Sequence, residues 1–256
     1  MKAPVVVIGI GELGAMFARG LLRLGHPVHP ITRAMDMNVE AAALPDPEMV
    51  LLAVAEKDLH AVLHAIPSPW RSRLALLQNE LLPRDWLESG LTQPTVISVW
   101  FEKKRGQDAK VLLPSPAFGP HAQLLTDALN GIGIDARVLA TQDQLLFELV
   151  RKNVYIVTTN VAGLVVGGTV SALWREHADL ARAVAQDVIV IQEHLTAARF
   201  DHYALIAGML EAFDGDPQHG CMGRSAPARL QRALEQADAA GLAVPKLREI
   251  AAAQKN

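Results

Sequence analysis

A single cysteine, Cys221, stands among 256 residues. This excludes an internal disulfide framework and suits a reducing compartment. Positive charge is not in excess either, since 24 Lys and Arg against 27 Asp and Glu leave a formal charge of −3. That balance offers no basic surface to nucleic acid or to an anionic membrane. No uninterrupted apolar run approaches membrane-spanning length. Residues 1–10 lack the charged leader, long apolar stretch and cleavage site of a signal peptide, because Val5 to Ile8 reads as a strand. Internal repeats and low-complexity tracts are missing as well. What remains is ordinary globular composition, half apolar and a fifth charged, in a length that suits one large domain or two modest ones. The expectation is a soluble, cytoplasmic protein with neither nucleic acid nor membrane as partner.

Residues 5–14 read VVVIGIGELG. Four apolar residues make a short buried strand, and Gly9, Gly11 and Gly14 follow in G-x-G-x-x-G spacing before a helix-periodic stretch. The first glycine permits a tight turn, the second lets backbone approach a pyrophosphate, and the third lets the helix pack closely on the strand. The helix N-terminus adds free N–H groups and a partial positive charge for phosphate. Gly9, Ile10, Gly11, Glu12, Leu13 and Gly14 are therefore expected at a dinucleotide, as is Val54 at the end of a later strand.

Short apolar runs alternate with helical stretches through the first 140 residues. The runs are Val5–Ile8, Val28–Thr32, Met49–Val54, Leu74–Leu77, Thr95–Trp100, Lys110–Leu113 and Ala136–Leu139, and residues 15–24, 56–65 and 120–130 have helical spacing. Alternation of this kind predicts a mostly parallel sheet with helices on both faces. Asp46-Pro47, Pro67 to Pro69, Lys103 to Gln107 and Pro114 to Pro116 read as turns. From about Ala140 strand patterns vanish. Helices are expected from Gln142 past Asn160, over 176–199, over 203–212 and over 227–240, the last closed by Gly241. Residues 213–226 are turn-rich. The fold class is thus α/β, with a Rossmann-type dinucleotide-binding domain over 1–140 and an all-helical domain over 141–256, separated by a cleft.

NAD sites usually place an acid after the second strand for the ribose 2′-hydroxyl, whereas NADP sites place a cation there for the 2′-phosphate. The strand PVHPIT contains no acid and is followed at once by Arg33, whose guanidinium suits a phosphate. NADP(H) is the expected cofactor, with Asp36, three residues on, pulling the other way.

At this point both halves look familiar. MKAPVVVIGIGELGAMFARGLLRLGHPVHPITR resembles the opening of ketopantoate reductases (2-dehydropantoate 2-reductases), including the segment from Gly25 to Val28 and Arg33. LLQNEL resembles that family's Gln-Asn-Gly turn, with Asn79 in the asparagine position. ELVRKNVYIVTTN resembles its Trp-Arg-Lys helix, placing Lys152 at the catalytic lysine and Asn160 at a family asparagine. GLAVP at 241–245 resembles the segment after the family's last long helix. The resemblance implies an NADPH-dependent reductase of a 2-oxo acid, ketopantoate first, in the pantothenate pathway. Departures accompany it. Ile156 stands where asparagine is usual, Glu80 replaces the turn glycine and Val161 a proline. Ala55 stands for a lysine, with Lys57 displaced by two, and Ser225 for the substrate-binding glutamate. The departures motivate two alternatives: a reductase of the same fold for another 2-oxo acid, and a non-catalytic NADP-binding regulatory protein.

Reducing a 2-oxo acid requires a hydride donor, an acid for the forming alkoxide, and a cation or dipole to orient the carboxylate. Lys152 is the expected acid, since partial desolvation lowers an ammonium's pKa toward neutrality. On a helical wheel Asn153 falls near Asn160 and Thr159 near Lys152, so either can stand in for the missing asparagine or be packing. Asn79 either bonds cofactor or substrate or serves the turn. Ser225 either caps the last long helix or meets the substrate, with Arg224 as counter-charge. His219 and Cys221 have no ligand-spaced partners, so no metal is expected. Gly163, Gly167 and Gly168 read as close helix packing or a helix break. The faces of the helical domain leave room for a homodimer.

Overall fold

The computed structural model describes residues 2–254. Its chain divides into two compact units, one ending at Glu148 and one starting at Leu149. The first contains β1 (Val5–Ile8), α1 (Glu12–Arg23), β2 (Val28–Ile31), α2 (Met37–Ala43), β3 (Met49–Leu52), α3 (Leu59–Ala65), β4 (Leu74–Leu76) and α4 (Pro83–Leu87). It continues with β5 (Thr95–Ile97), β6 (Phe101–Glu102), β7 (Lys110–Val111), β8 (Ser115–Phe118), α5 (Ala122–Asn130) and β9 (Ala136–Val138). Helix α6 (Gln142–Val166) carries the chain into the second unit, followed by α7 (Val170–Thr196), α8 (His202–Gly215), α9 (Ala226–Ala239) and α10 (Pro245–Ala253). Among the described residues no helix is long and apolar enough to cross a membrane.

Seven strands form the main sheet in the order β2-β1-β3-β4-β5-β8-β9. Every neighbouring pair is parallel except β5 with β8. All four residues of β1 and of β3 are buried, as expected for central strands covered on both faces. Phe17 and Leu21 of α1 and Leu125 and Leu129 of α5 close one face over Val5, Val7, Met49 and Leu51. Pro30 is tolerated because β2 lies at the sheet edge, where a missing N–H costs no ladder bond.

The mostly parallel sheet agrees with the alternation in the sequence, but several local expectations need correction. Pro114 to Pro116 is not simply a turn: Ser115 opens β8, which runs antiparallel to β5. Pro116 is admitted there because its carbonyl accepts from Ser98 N at 2.9 Å, beyond the last β5 residue. Its absent N–H therefore falls where β5 has already ended. The expected strand over Thr95–Trp100 stops at Ile97, and the chain then forms the separate β6–β7 ribbon. Helices α2, α4 and α10 carry no strong apolar period and were not expected. Helix α7 begins at Val170 rather than at 176, kinks at His177 and ends at Thr196, capped by Ala197, a non-glycine residue with φ of 52°.

In the helical unit, α7 contributes Val184, Val188 and Ile191 to the buried core, which also includes Leu205, Met209 and Leu247. Asp187 accepts from Lys246 N at 2.7 Å and Leu247 N at 3.0 Å. It thereby caps α10, whose own N-cap, Val244, has no polar side chain. Glu193 gathers the Phe200 amide, Arg199 and His202 at the turn into α8. Gly167 and Gly168 break α6 from α7 with φ of 60° and 74°. The following segment is stitched to that break: Val170 N donates to His219 O, Cys221 N donates to Gly168 O, and Thr169 and Gly220 form an antiparallel bridge.

Candidate functional site

The dinucleotide motif folds as its spacing requires. Gly9 has φ of 93°, and a Cβ there would meet Ala53 O at 2.8 Å. A Cβ on Gly14 would lie 2.0 Å from Gly9 O, so the strand-to-helix approach tolerates no side chain. Gly11 is different. Nothing lies within 4 Å of a Cβ built there, and it is the N-cap of α1 without any side-chain cap. The backbone at this position is open to a ligand rather than pressed by the protein.

Strand order reverses at β1, with β2 on one side and β3 on the other. This is the topological switch point where doubly wound sheets place their ligand, beyond the carboxyl ends of the strands. A cavity of about 640 Å³ lies there, lined among others by Gly9, Ile10, Gly11, Arg33, Val54 and Asp58. The cavity, the glycine cradle and the uncapped helix end fit a dinucleotide. Five of the residues expected at the cofactor are thus brought together. Leu13 instead packs against the core, and Gly14 acts through close packing. Glu12 opens α1 and pairs with Lys103 at 3.3 Å.

Arg33 is 91% exposed and donates to Asp58 Oδ2 at 3.0 Å. The carboxylate beside it is therefore Asp58, from the 3₁₀ turn after β3. Asp36 is occupied as the N-cap of α2, accepting from Asn38 N at 2.9 Å. Asn79 follows buried Gln78, which ties β4 to β3 by donating to Leu52 O at 2.8 Å. Asn79 itself is exposed and is not among the side chains lining the cavity. Glu80 adopts φ of 57°, a left-handed conformation that glycine accommodates most readily.

Helix α6 carries an unusual run of buried polar residues: Arg151, Lys152, Asn153, Thr158 and Thr159. Lys152 is 7% exposed. Burial first, and the positive charge of Arg229 second, bring its ammonium down to about 7. Asn160, two turns on, donates to Ile156 O at 2.9 Å and accepts from Arg229 Nη1 at 3.0 Å. Lys152, Asn160 and Arg229 thus form one polar cluster, with buried Ile156 between the first two on α6.

Asn153 and Thr159 do not extend that cluster. Asn153 donates to Gln192 of α7 at 2.8 Å, and Thr159 donates to Tyr155 O and Ile156 O of its own helix. Ser225 sits at the N-cap of α9 but has helical dihedrals and makes no side-chain cap; the expected capping bond is absent. Ser225 and Arg224 are exposed. Arg229 was not singled out from the sequence. The available signal is its place one turn after Ser225: residues four apart share a helix face, and helical side chains lean toward the N-terminus. The long arginine therefore covers ground that residue 225 was expected to occupy. Cys221 is buried, which pushes its thiol up to about 11, so it is no ready nucleophile. A Cβ on Gly163 would meet Cys221 at 2.9 Å, which makes Gly163 a close-packing glycine.

No protein-family model matches the chain, and no curated protein sequence matches it. Solved structures do match. The 2-dehydropantoate 2-reductase from Methylococcus capsulatus matches with a TM-score of 0.71 at 15% identity, over 98% of this chain and 96% of that one. D-mandelate dehydrogenase, solved in complex with NADH, matches with a TM-score of 0.67 at 15% identity, over 97% and 96%. A dimeric ketopantoate reductase from Staphylococcus aureus matches with a TM-score of 0.67 at 15% identity, over 96% of each chain. From end to end, then, the chain has the fold that ketopantoate reductases and D-mandelate dehydrogenase share.

Proposed function

We propose that the chain is an NADPH-dependent reductase of a small 2-oxo acid, with Lys152 as its general acid. The observation that carries this reading is the buried ammonium of Lys152, poised at about 7, in a chain whose first unit holds a dinucleotide cradle. A reduced nicotinamide, when bound, supplies hydride to the carbonyl carbon. Gly9, Gly11 and the N-terminus of α1 would hold its pyrophosphate, Val54 would flank it, and Arg33 would meet the 2′-phosphate. Lys152 gives its proton to the carbonyl oxygen as that oxygen gains charge, so the product is a 2-hydroxy acid and a neutral amine that solvent reprotonates. A pKa near the working pH makes the group an efficient donor that is easily reset. Two of the neighbours named above support the reading, a 2-dehydropantoate 2-reductase and D-mandelate dehydrogenase in complex with NADH. The dimeric neighbour likewise supports a homodimer.

Ketopantoate is the substrate that the sequence resemblance implies. A second reading, a different 2-oxo acid, is favoured by buried Ile156 where a polar residue is usual and by exposed, non-capping Ser225. The test is to follow loss of NADPH and NADH absorbance by the purified chain against a 2-oxo acid panel that includes ketopantoate. We expect turnover with NADPH that Lys152→Ala abolishes without weakening NADPH binding. Turnover persisting in that variant would overturn the role given to Lys152, and a strong ketopantoate preference would overturn the second reading.

A further inference from the structure

A second cavity, of about 290 Å³, lies within the first unit. Phe118 ends β8, Val138 ends β9 and Pro94 stands just before β5, and all three line it. Because β8 runs antiparallel to β5 and β9 runs parallel to β8, this is the sheet edge at which β5 begins. The dinucleotide cavity lies at the opposite edge, beyond the carboxyl ends of β1 and β3. Of the residues lining the second cavity, Trp86, Leu139 and Leu145 are buried, whereas Gln93, Val138 and Gln142 are exposed. An apolar floor thus lies beneath a rim in which no residue is charged. Trp86, on α4, is 4% exposed. A buried indole N–H ordinarily finds an acceptor, and that of Trp70 does so, donating to Leu44 O at 2.8 Å. Trp86 Nε1 meets no acceptor among the described residues, yet it is not one of the polar atoms sealed inside the protein. The cavity that Trp86 lines is the open space beside this otherwise buried ring.

We propose that this cavity is a second ligand site, for a neutral, flat, fused-ring molecule that carries a carbonyl oxygen. The volume sets the size: a cavity of about 150 Å³ holds one benzene ring, so this one takes two fused rings. Trp86 and Phe118 supply aromatic surface for them. The carbonyl oxygen accepts from Trp86 Nε1, which satisfies a donor that the protein leaves unmet. An acid or an amine is excluded, because its charge would be buried against a lining that offers no counter-charge. A few placed polar groups in an apolar concavity are the usual make-up of a small-molecule site. The proposal stands apart from the reductase reading, since neither Lys152 nor any residue of the dinucleotide cavity lines this one.

The test uses two probes. 1-Indanone has two fused rings and a carbonyl, and indane is the same frame without the oxygen. In the full chain with isotope-labelled indole nitrogens, 1-indanone should shift one indole N–H resonance downfield and saturably. Trp86→Phe should remove that resonance and so identify it. A neutral hydrogen bond is worth about two- to twelvefold in affinity, so indane should bind more weakly by that factor in calorimetry. Trp86→Phe should erase the difference between the probes. Val138→Trp, at an exposed position of the edge strand, leaves Trp86 in place and should abolish 1-indanone binding by filling the mouth. Val138→Ala should keep it, which guards against a loss caused by misfolding. Saturating NADPH should leave 1-indanone bound. No saturable shift of the Trp86 resonance, equal affinity for the two probes, binding that survives Val138→Trp, or displacement of 1-indanone by NADPH would each overturn the second site.

Discussion

Replacing Lys152 by methionine should stabilise the fold, by an amount that depends on pH. The ammonium titrates at about 7 in the folded chain against an ordinary 10.5, with desolvation the larger cause and Arg229 the smaller. Between those two values the unfolded chain binds more protons than the folded one. The wild type therefore gains stability as pH rises through the window and carries the full cost of the buried charge below it. At 1.36 kcal/mol per pH unit the window is worth about 5 kcal/mol in total, and about 3 kcal/mol of that falls between pH 6 and pH 9. Methionine keeps the unbranched apolar stem and adds no proton site. The stability gap between Lys152→Met and the wild type, measured by guanidinium unfolding, should be about 3 kcal/mol larger at pH 6 than at pH 9. In thermal scans each kcal/mol is roughly 2–4 °C for a chain of this size. A gap that is the same at both pH values would refute the desolvated ammonium, and with it the physical basis for the general acid.

Four further outcomes are expected. Gly14→Ala should disrupt the turn, since its Cβ would overlap Gly9 O at 2.0 Å, whereas Gly11→Ala should fold normally because nothing lies within 4 Å. Melting curves with and without NADPH separate them: Gly11→Ala should keep its melting temperature and lose most of the NADPH-induced rise. Asp58→Asn should free Arg33 and tighten NADPH about two- to fivefold, the worth of an exposed ion pair, while Arg33→Ala should erase the preference for NADPH over NADH; unchanged dissociation constants in both would remove Arg33 from the site. Ala197→Gly should stabilise the chain by about 1 kcal/mol, because Ala197 caps α7 at φ of 52°. Burial pushes the Glu193 carboxyl up, but Phe200 N–H, Arg199 and His202 outweigh it and hold it below the usual range. Its contribution is thus present above the ordinary carboxylate range and lost as pH falls through the folded value. Glu193→Gln should cost about 1–3 kcal/mol near neutrality and progressively less in acid, measured by urea unfolding.

The fold and the cradle were legible because both rest on local pattern. Four-residue apolar runs announce buried parallel strands, and glycine spacing alone dictates the turn at Gly9. β8 escaped because two prolines resemble a turn, and only the early end of β5 makes room for Pro116. The polar cluster was half legible. Lys152 and Asn160 follow from one helix, but Arg229 joins them from α9 through its hydrogen bond to Asn160, which no helical wheel contains. The wheel also misled at Asn153. It gives direction around an axis but not the neighbour met there, and in that direction lies Gln192 of α7.

The stitch between the α6–α7 break and residues 219–221 bears on how this chain can be cut and joined. By composition 213–226 is a free loop that should accept a protease or an insert anywhere. Its first part is instead held as firmly as a sheet edge, through backbone bonds at His219 and Cys221 and the bridge at Gly220. Only Met222 to Arg224, exposed and followed directly by α9, lie outside that hold. A nick after Arg224 would leave the upstream end pinned by the ladder and the downstream end wound into a helix. A two-fragment version of the protein, or a reporter inserted into it, belongs at that place.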